Sequence, residues 1–190
     1  MIYLIRHAES ESNAGGKTAN AKDIPLTEKG VQQSLDLVQK IPKKPDLIVV
    51  SPYPRTQQTA APLIEKFPTV SVEIWNVHEF TYLDADRCNG TTITERKVIA
   101  EEYLAQNDPD LVHGNGAESF NQMLQRVDEL LERLKKIDSS KFVVIFTHAL
   151  FMRAILARIE RKSVTFDDVF GDSTIIINNT DIIELGFQHG

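Results

Sequence analysis

The chain has 190 residues, 42% hydrophobic and 25% charged, enough to bury a sizeable core and expected to form one domain over 1–190. A formal net charge of −6 argues against a general nucleic-acid or membrane-surface binder, without bearing on a small cationic pocket. The only cysteine, Cys88, excludes an internal disulfide, and with no apolar run of transmembrane length and no basic-flanked leader the expected setting is the cytoplasm.

Short apolar runs alternate with longer amphipathic stretches, the pattern of an α/β fold. Residues 2–5 predict the first strand, followed by Arg6 and His7 and then Glu9, Ser10 and Asn13. A helix is expected over 27–40, with Thr27 as its cap and Val31, Leu35 and Val38 as its apolar stripe. Strand 47–50 leads into Ser51-Pro52-Tyr53-Pro54-Arg55, and a helix over 54–67 begins with a proline, whose missing N–H is harmless there. Strand 70–74 opens a long loop, 76–94, that carries His78 and Glu79. A helix over 94–106 has Thr94 as its expected cap, and 117–137 carries an apolar stripe of Phe120, Leu124, Val127, Leu131 and Leu134. Strand 142–146 delivers Thr147 and His148, and a helix over 149–160 follows directly. Strands are also expected at 174–178 and, as a short edge strand, at 182–185. The strand runs are nearly continuously apolar, as for strands covered on both faces.

Ligand sites in open α/β sheets lie beyond the carboxyl ends of the strands. If these strands are parallel, Arg6, His7, Arg55, Glu79 and His148 surround one crevice. Two guanidinium groups can hold nonbridging phosphoryl oxygens by paired N–H contacts. One neutral imidazole can attack phosphorus, and the other, protonated, can stabilise the equatorial oxygens. A carboxylic acid can protonate the leaving oxygen and then accept a proton from water. The helix that starts after His148 offers backbone N–H groups to an anion. With this much positive charge, neither a metal nor a cofactor is needed. The residues alone do not choose between His7 and His148 as nucleophile.

Arg6-His7-Ala8-Glu9-Ser10 with Asn13 resembles the signature of the histidine phosphatase superfamily, in its phosphoglycerate mutase-like branch. Pro25-Leu26-Thr27-Glu28-Lys29-Gly30, the block from Ser51 to Ala60, Ala117-Glu118-Ser119 and Thr147-His148 resemble its later blocks, in order. The resemblance implies a three-layer α/β/α sandwich with a mainly parallel central sheet. It implies His7 as nucleophile, Glu79 as proton donor, and Arg6, Arg55 and His148 as a phosphate clamp, with Asn13 as a further contact; Ala149, which opens the helix after His148, is expected to add a phosphate contact. Two departures stand out. Ala8 and Ala149 occupy positions where the family usually has glycine, and Glu79-Phe80-Thr81-Tyr82-Leu83 lacks the tryptophan pattern of many members.

The expected activity is metal-independent hydrolysis of a phosphomonoester through a phosphohistidine on His7. The partners are a small phosphorylated substrate and a phosphate ion in the pocket. An unpaired sheet edge or apolar helix face leaves room for a homodimer. A phosphoglycerate mutase, a non-catalytic phospholigand-binding regulator and a protein phosphatase are the alternatives. Glu9, Glu118, Asp84 and Asp86 are rival acids. Glu118-Ser119 also reads as a helix cap, and Asp84-Ala85-Asp86 as a solvated loop. His78, His113 and His189 have no motif support.

Overall fold

β1 (Ile2–Arg6), β2 (Leu47–Val50), β3 (Ser71–Ile74), β4 (Val143–Thr147) and β5 (Ile182–Leu185) form one sheet in the order β3-β2-β4-β1-β5. The computed structural model describes residues 1–18, 20, 22–161, 163–171 and 174–186; His189 lies outside them. β1 to β4 run parallel and β5 pairs antiparallel with β1. The helices are α1 (Glu28–Leu37), α2 (Pro54–Lys66), α3 (Ala85–Cys88), α4 (Ile93–Gln106), α5 (Phe120–Lys135), α6 (Ala149–Glu160) and α7 (Phe166–Phe170).

Alternation along the strands builds two cores, one on each face of the sheet. Leu4, Val143 and Ile145 pack with Phe120, Met123 and Val127 of α5 and Phe151 and Ile155 of α6. Ile5, Val144 and Phe146 pack with Leu37, Val38 and Leu63 on the α1–α2 side. The result is the expected α/β/α sandwich. β4, buried at every residue, is its central strand. Each fully buried Phe or Leu of these layers contributes about 1.5–3 kcal/mol as an upper estimate.

Several local expectations need correction. Of the apolar stripe assigned to α1, Val31 and Leu35 face water, 50% and 49% exposed, and only Val38, in the turn that follows, is buried. The buried face of α1 is instead Gly30, Ser34 and Leu37. A Cβ on Gly30 would stand 2.0 Å from the Glu9 carbonyl oxygen, so the helix backbone lies directly against the segment after His7 and only small residues fit between. Residues 38–40 continue α1 as a 3-10 turn.

The cap of α4 is Thr92, not Thr94, through a reciprocal box with Glu95. Ser119 caps α5 in the same way with Gln122, so that helix starts at Phe120. α3 interrupts the long loop, with Asp84 as its cap. β3 is an edge strand rather than a doubly covered one, and its Ile74 is 64% exposed.

Residues 174–178 are not a strand. Their carbonyls are taken by arginines: Ile177 accepts from Arg6 Nη1 at 2.7 Å and Ile175 from Arg153 Nε at 3.0 Å. The place beside β1 belongs to β5. Among the described residues, no helix is long and apolar enough to cross a membrane.

Candidate active site

The sheet register brings the two histidines together. Arg6 pairs with Thr147 at the ends of β1 and β4, and the His7 N–H donates to the Thr147 carbonyl at 3.0 Å. The next side chains, His7 and His148, have ring centroids 5.1 Å apart. β2 ends one register step earlier, so Ser51 and the first turn of α2 close the third side. Trp75, after β3, donates its backbone N–H to the Val50 carbonyl, and the Thr147 hydroxyl donates to the Val77 carbonyl at 2.6 Å. These bonds turn the chain after β3 toward the site and deliver Glu79.

Arg55 links the histidines. Its Nε–H donates to His7 Nε2 at 3.3 Å, and Nη2 donates to His148 Nδ1 at 3.1 Å. A guanidinium only donates, so both ring nitrogens must be acceptors. The tautomers follow. His7 carries its proton on Nδ1, which donates to the Ala8 carbonyl at 2.7 Å, and His148 donates from Nε2 to Ser51 Oγ at 2.8 Å. Burial, then the Arg55 charge, hold both imidazoles well below their ordinary pKa. Burial also lowers the Arg55 guanidinium, to about 10, against the opposing charge of Glu79. Its guanidinium lies 4.8 Å from the Tyr53 ring centroid, and Tyr53 in turn touches the His148 ring.

Glu79 lies at the amino end of α6. Its carboxyl oxygens accept from the N–H groups of Phe80 (3.0 Å), Phe151 (3.2 Å) and Leu150 (3.4 Å). Two of the α6 donors expected to serve a phosphate therefore serve Glu79. Burial raises the Glu79 pKa, with Arg55 and the three N–H groups opposing. The rival acids are engaged elsewhere. Glu9 pairs with Lys29, Glu118 with Arg126, Asp84 caps α3, and Asp86 accepts from Asn115. No group of acids, histidines and cysteine among the described residues has metal-binding geometry.

The site opens into a cavity of about 860 Å³ lined by Arg6, His7, Asn13, Arg55 and Glu79. His148 and Ala149 do not line it; His148 is fully buried behind Arg55 and Ser51. Asn13 Oδ1 accepts from the Ser10 N–H and hydroxyl and from Asn179 Nδ2, which leaves its own Nδ2 as donor. Neither Ala8 nor Ala149 has a positive φ, so the alanines impose no backbone strain. Cys88 also lines the cavity, its thiol pKa raised by burial.

Two supporting residues were not singled out from the sequence: Asn179 lies in no motif, and Thr59 lies within the block from Ser51 to Ala60. Asn179 donates to the His7 carbonyl at 2.9 Å, and Thr59 Oγ1 accepts the Ala8 N–H at 3.0 Å while donating to the Arg55 carbonyl at 2.6 Å. The contacts to the His7 carbonyl and the Ala8 N–H cross 172 and 51 residues and depend on the assembled sheet, whereas the Thr59–Arg55 bond lies within one turn of α2.

Comparison with known proteins identifies the family of the chain. Residues 2–190 match the model of the histidine phosphatase superfamily (branch 1). Phosphoserine phosphatase 1 of Hydrogenobacter thermophilus is 29% identical over 160 residues, 81% of this chain and 73% of that one. A Schizosaccharomyces pombe protein described as a probable phosphatase is 30% identical over 193 residues, 100% of this chain and 88% of that one. The crystal structure of a phosphoserine phosphatase mutant from Entamoeba histolytica, in complex with phosphoserine, shares the fold, with TM-score 0.72 at 23% identity over 95% of this chain and 87% of that one.

Proposed function

This chain belongs to the histidine phosphatase superfamily and is a phosphatase; we propose that it hydrolyses a phosphomonoester through a phosphohistidine on His7, without a metal. The observation that carries this reading is the Arg55 guanidinium held between His7 Nε2 and His148 Nδ1. It orients two neutral imidazoles beside a cation able to take phosphoryl oxygens.

In the proposed reaction, the His7 Nδ1–H···Ala8 bond keeps the proton off Nε2, and the phosphoryl oxygens draw the Arg55 Nε–H away from Nε2, whose lone pair then attacks phosphorus. Arg6 and Arg55 hold the nonbridging oxygens, with Asn13 Nδ2 as a further donor. Arg6 Nε, buried with no partner among the described residues, is a donor that such an oxygen would satisfy. As the N–P bond forms and the ester P–O bond breaks, Glu79 protonates the leaving oxygen. Water then attacks phosphorus, Glu79 takes its proton, and the N–P bond breaks to release inorganic phosphate. The phosphoryl charge offsets that of Arg55 and raises the proton affinity of His148, which then supports the equatorial oxygens from behind.

The cavity is much larger than a phosphate. Lys22, Arg96 and Lys97 line it without forming an ion pair among the described residues. A small phosphomonoester with a second anionic group therefore fits best, and phosphoserine is the first substrate to test. We place the activity in one catalytic domain of a cytoplasmic protein. Hydrolysis of para-nitrophenyl phosphate in excess chelator should persist in the wild type and fall to background in His7→Ala. Loss of activity on chelation, or its survival in the variant, overturns the reading.

A further inference from the structure

We infer that Glu118 and Arg126 form a positioning clamp that fixes the Glu79 carboxyl for proton transfer, an inference that rests on Glu79 being the proton donor. Glu79 belongs to a loop with no helix or strand between Ile74 and Ala85, yet the loop is held on both sides of it. On the near side, Arg126 Nη1 donates to the carbonyls of Asn76 at 2.9 Å and His78 at 3.1 Å. On the far side, Glu118 Oε1 accepts the Thr81 N–H at 3.2 Å, while the Glu118 N–H donates to the Thr81 carbonyl at 2.9 Å. The two halves are joined by a bidentate ion pair, Arg126 Nε to Glu118 Oε2 at 2.9 Å and Nη2 to Oε1 at 2.6 Å.

The same guanidinium touches the other support of the carboxyl group. It lies 4.7 Å from the Phe151 ring centroid, and the Phe151 N–H donates to Glu79 Oε1. One ion pair thus meets the backbone before Glu79, the backbone after it, and the helix residue that holds its oxygen. The pair is 11% and 14% exposed, and such a desolvated pair fixes geometry more than it adds stability. Neither side chain lines the cavity, so the clamp acts through the loop and not on substrate. Catalytic groups need placement to within about 0.5 Å, and a loop by itself seldom provides that.

The test uses kcat/KM for an alkyl phosphate and for 2,4-dinitrophenyl phosphate, whose leaving group needs no proton. Arg126→Met keeps the packing on Phe151 but removes the donors, and Glu118→Gln removes the charge while leaving an acceptor for Thr81. In both, the alkyl substrate should lose on the order of 10- to 100-fold while the dinitrophenyl substrate stays within about threefold. Glu79→Gln should show the same selectivity, and Glu79→Gln combined with Arg126→Met should lose no more than Glu79→Gln alone. Equal losses on both substrates in a variant that melts cooperatively, or no loss on either, overturn the clamp while leaving the proton donor in place. Equal losses in Glu79→Gln itself overturn both. If Arg126→Met does not fold, Glu118→Gln decides by the same criterion.

Discussion

Arg55 Nε–H points at the His7 Nε2 lone pair across 3.3 Å, so the atom proposed to attack phosphorus is oriented by the cation proposed to hold the phosphoryl oxygens. The guanidinium spans His7 and His148 with two different nitrogens, and only a rigid fork can do that.

A lysine at this position should therefore fail despite its charge. Arg55→Lys is expected to lower kcat/KM by roughly 10²–10³-fold, the scale of removing one preorganised donor. Thermal stability should change little by comparison. Steady-state kinetics with a melting curve checks this, and activity within threefold of wild type would show that the bridge is dispensable.

Glu79→Gln should separate substrates by leaving group. The variant keeps the size of the side chain and loses the proton, so alkyl phosphates should slow by about 10²–10⁴-fold, the usual worth of general acid–base catalysis. Phosphorylation by aryl phosphates with acidic leaving groups should slow far less. A uniform loss, seen in rapid-quench measurement of the first turnover, would move the proton donor to another residue.

The pH profile follows from the shifted groups. His7 must be neutral to attack, and burial together with Arg55 keeps it neutral below 6.5. The acid limb of kcat/KM should accordingly fall below pH 6.5. Glu79 must be protonated, and its raised pKa keeps the proton above the ordinary 4.5, so the alkaline limb should lie above 4.5 and vanish in Glu79→Gln. The same depressed imidazoles link folding to pH. The stability they confer is fully present above 6.5 and is lost as pH falls toward their folded values; His78, lowered to about 4, behaves alike. An acid limb at or above pH 6.5 would contradict this picture of His7.

Gly30 reports on how α1 supports the site. Adding a methyl group would drive it into the Glu9 carbonyl, two residues from His7. Gly30→Ala should cost about 1–3 kcal/mol, and Val31→Ala, on the exposed face, within about 0.5 kcal/mol. Denaturant unfolding of both variants measures this, and equal stabilities would show that α1 can move away from the loop.

Much of the site was legible because its residues directly follow apolar strand runs. Arg6-His7 and Thr147-His148 mark the ends of β1 and β4, and Ser51 to Arg55 the end of β2. Local rules failed where tertiary contact overrode them. Val31 and Leu35 have helical spacing, yet close approach of the backbone at Gly30 turned the opposite face inward. Residues 174–178 read as a strand, but their carbonyls were claimed by Arg6 and Arg153.

By itself the sequence determined the α/β alternation, the family resemblance and the identity of the charged groups at the strand ends, since periodicity and adjacency are local properties. Only the tertiary structure decided which nitrogen of each histidine carries the proton, that Arg55 stands between them, and that Glu79 rests on the first turn of α6 between Arg55 and the Glu118–Arg126 pair. The bonds of Arg55 to both histidines, of His148 to Ser51 and of α6 to Glu79 join residues 48 to 97 apart, which meet only when the parallel register of β1, β4 and β2 is formed.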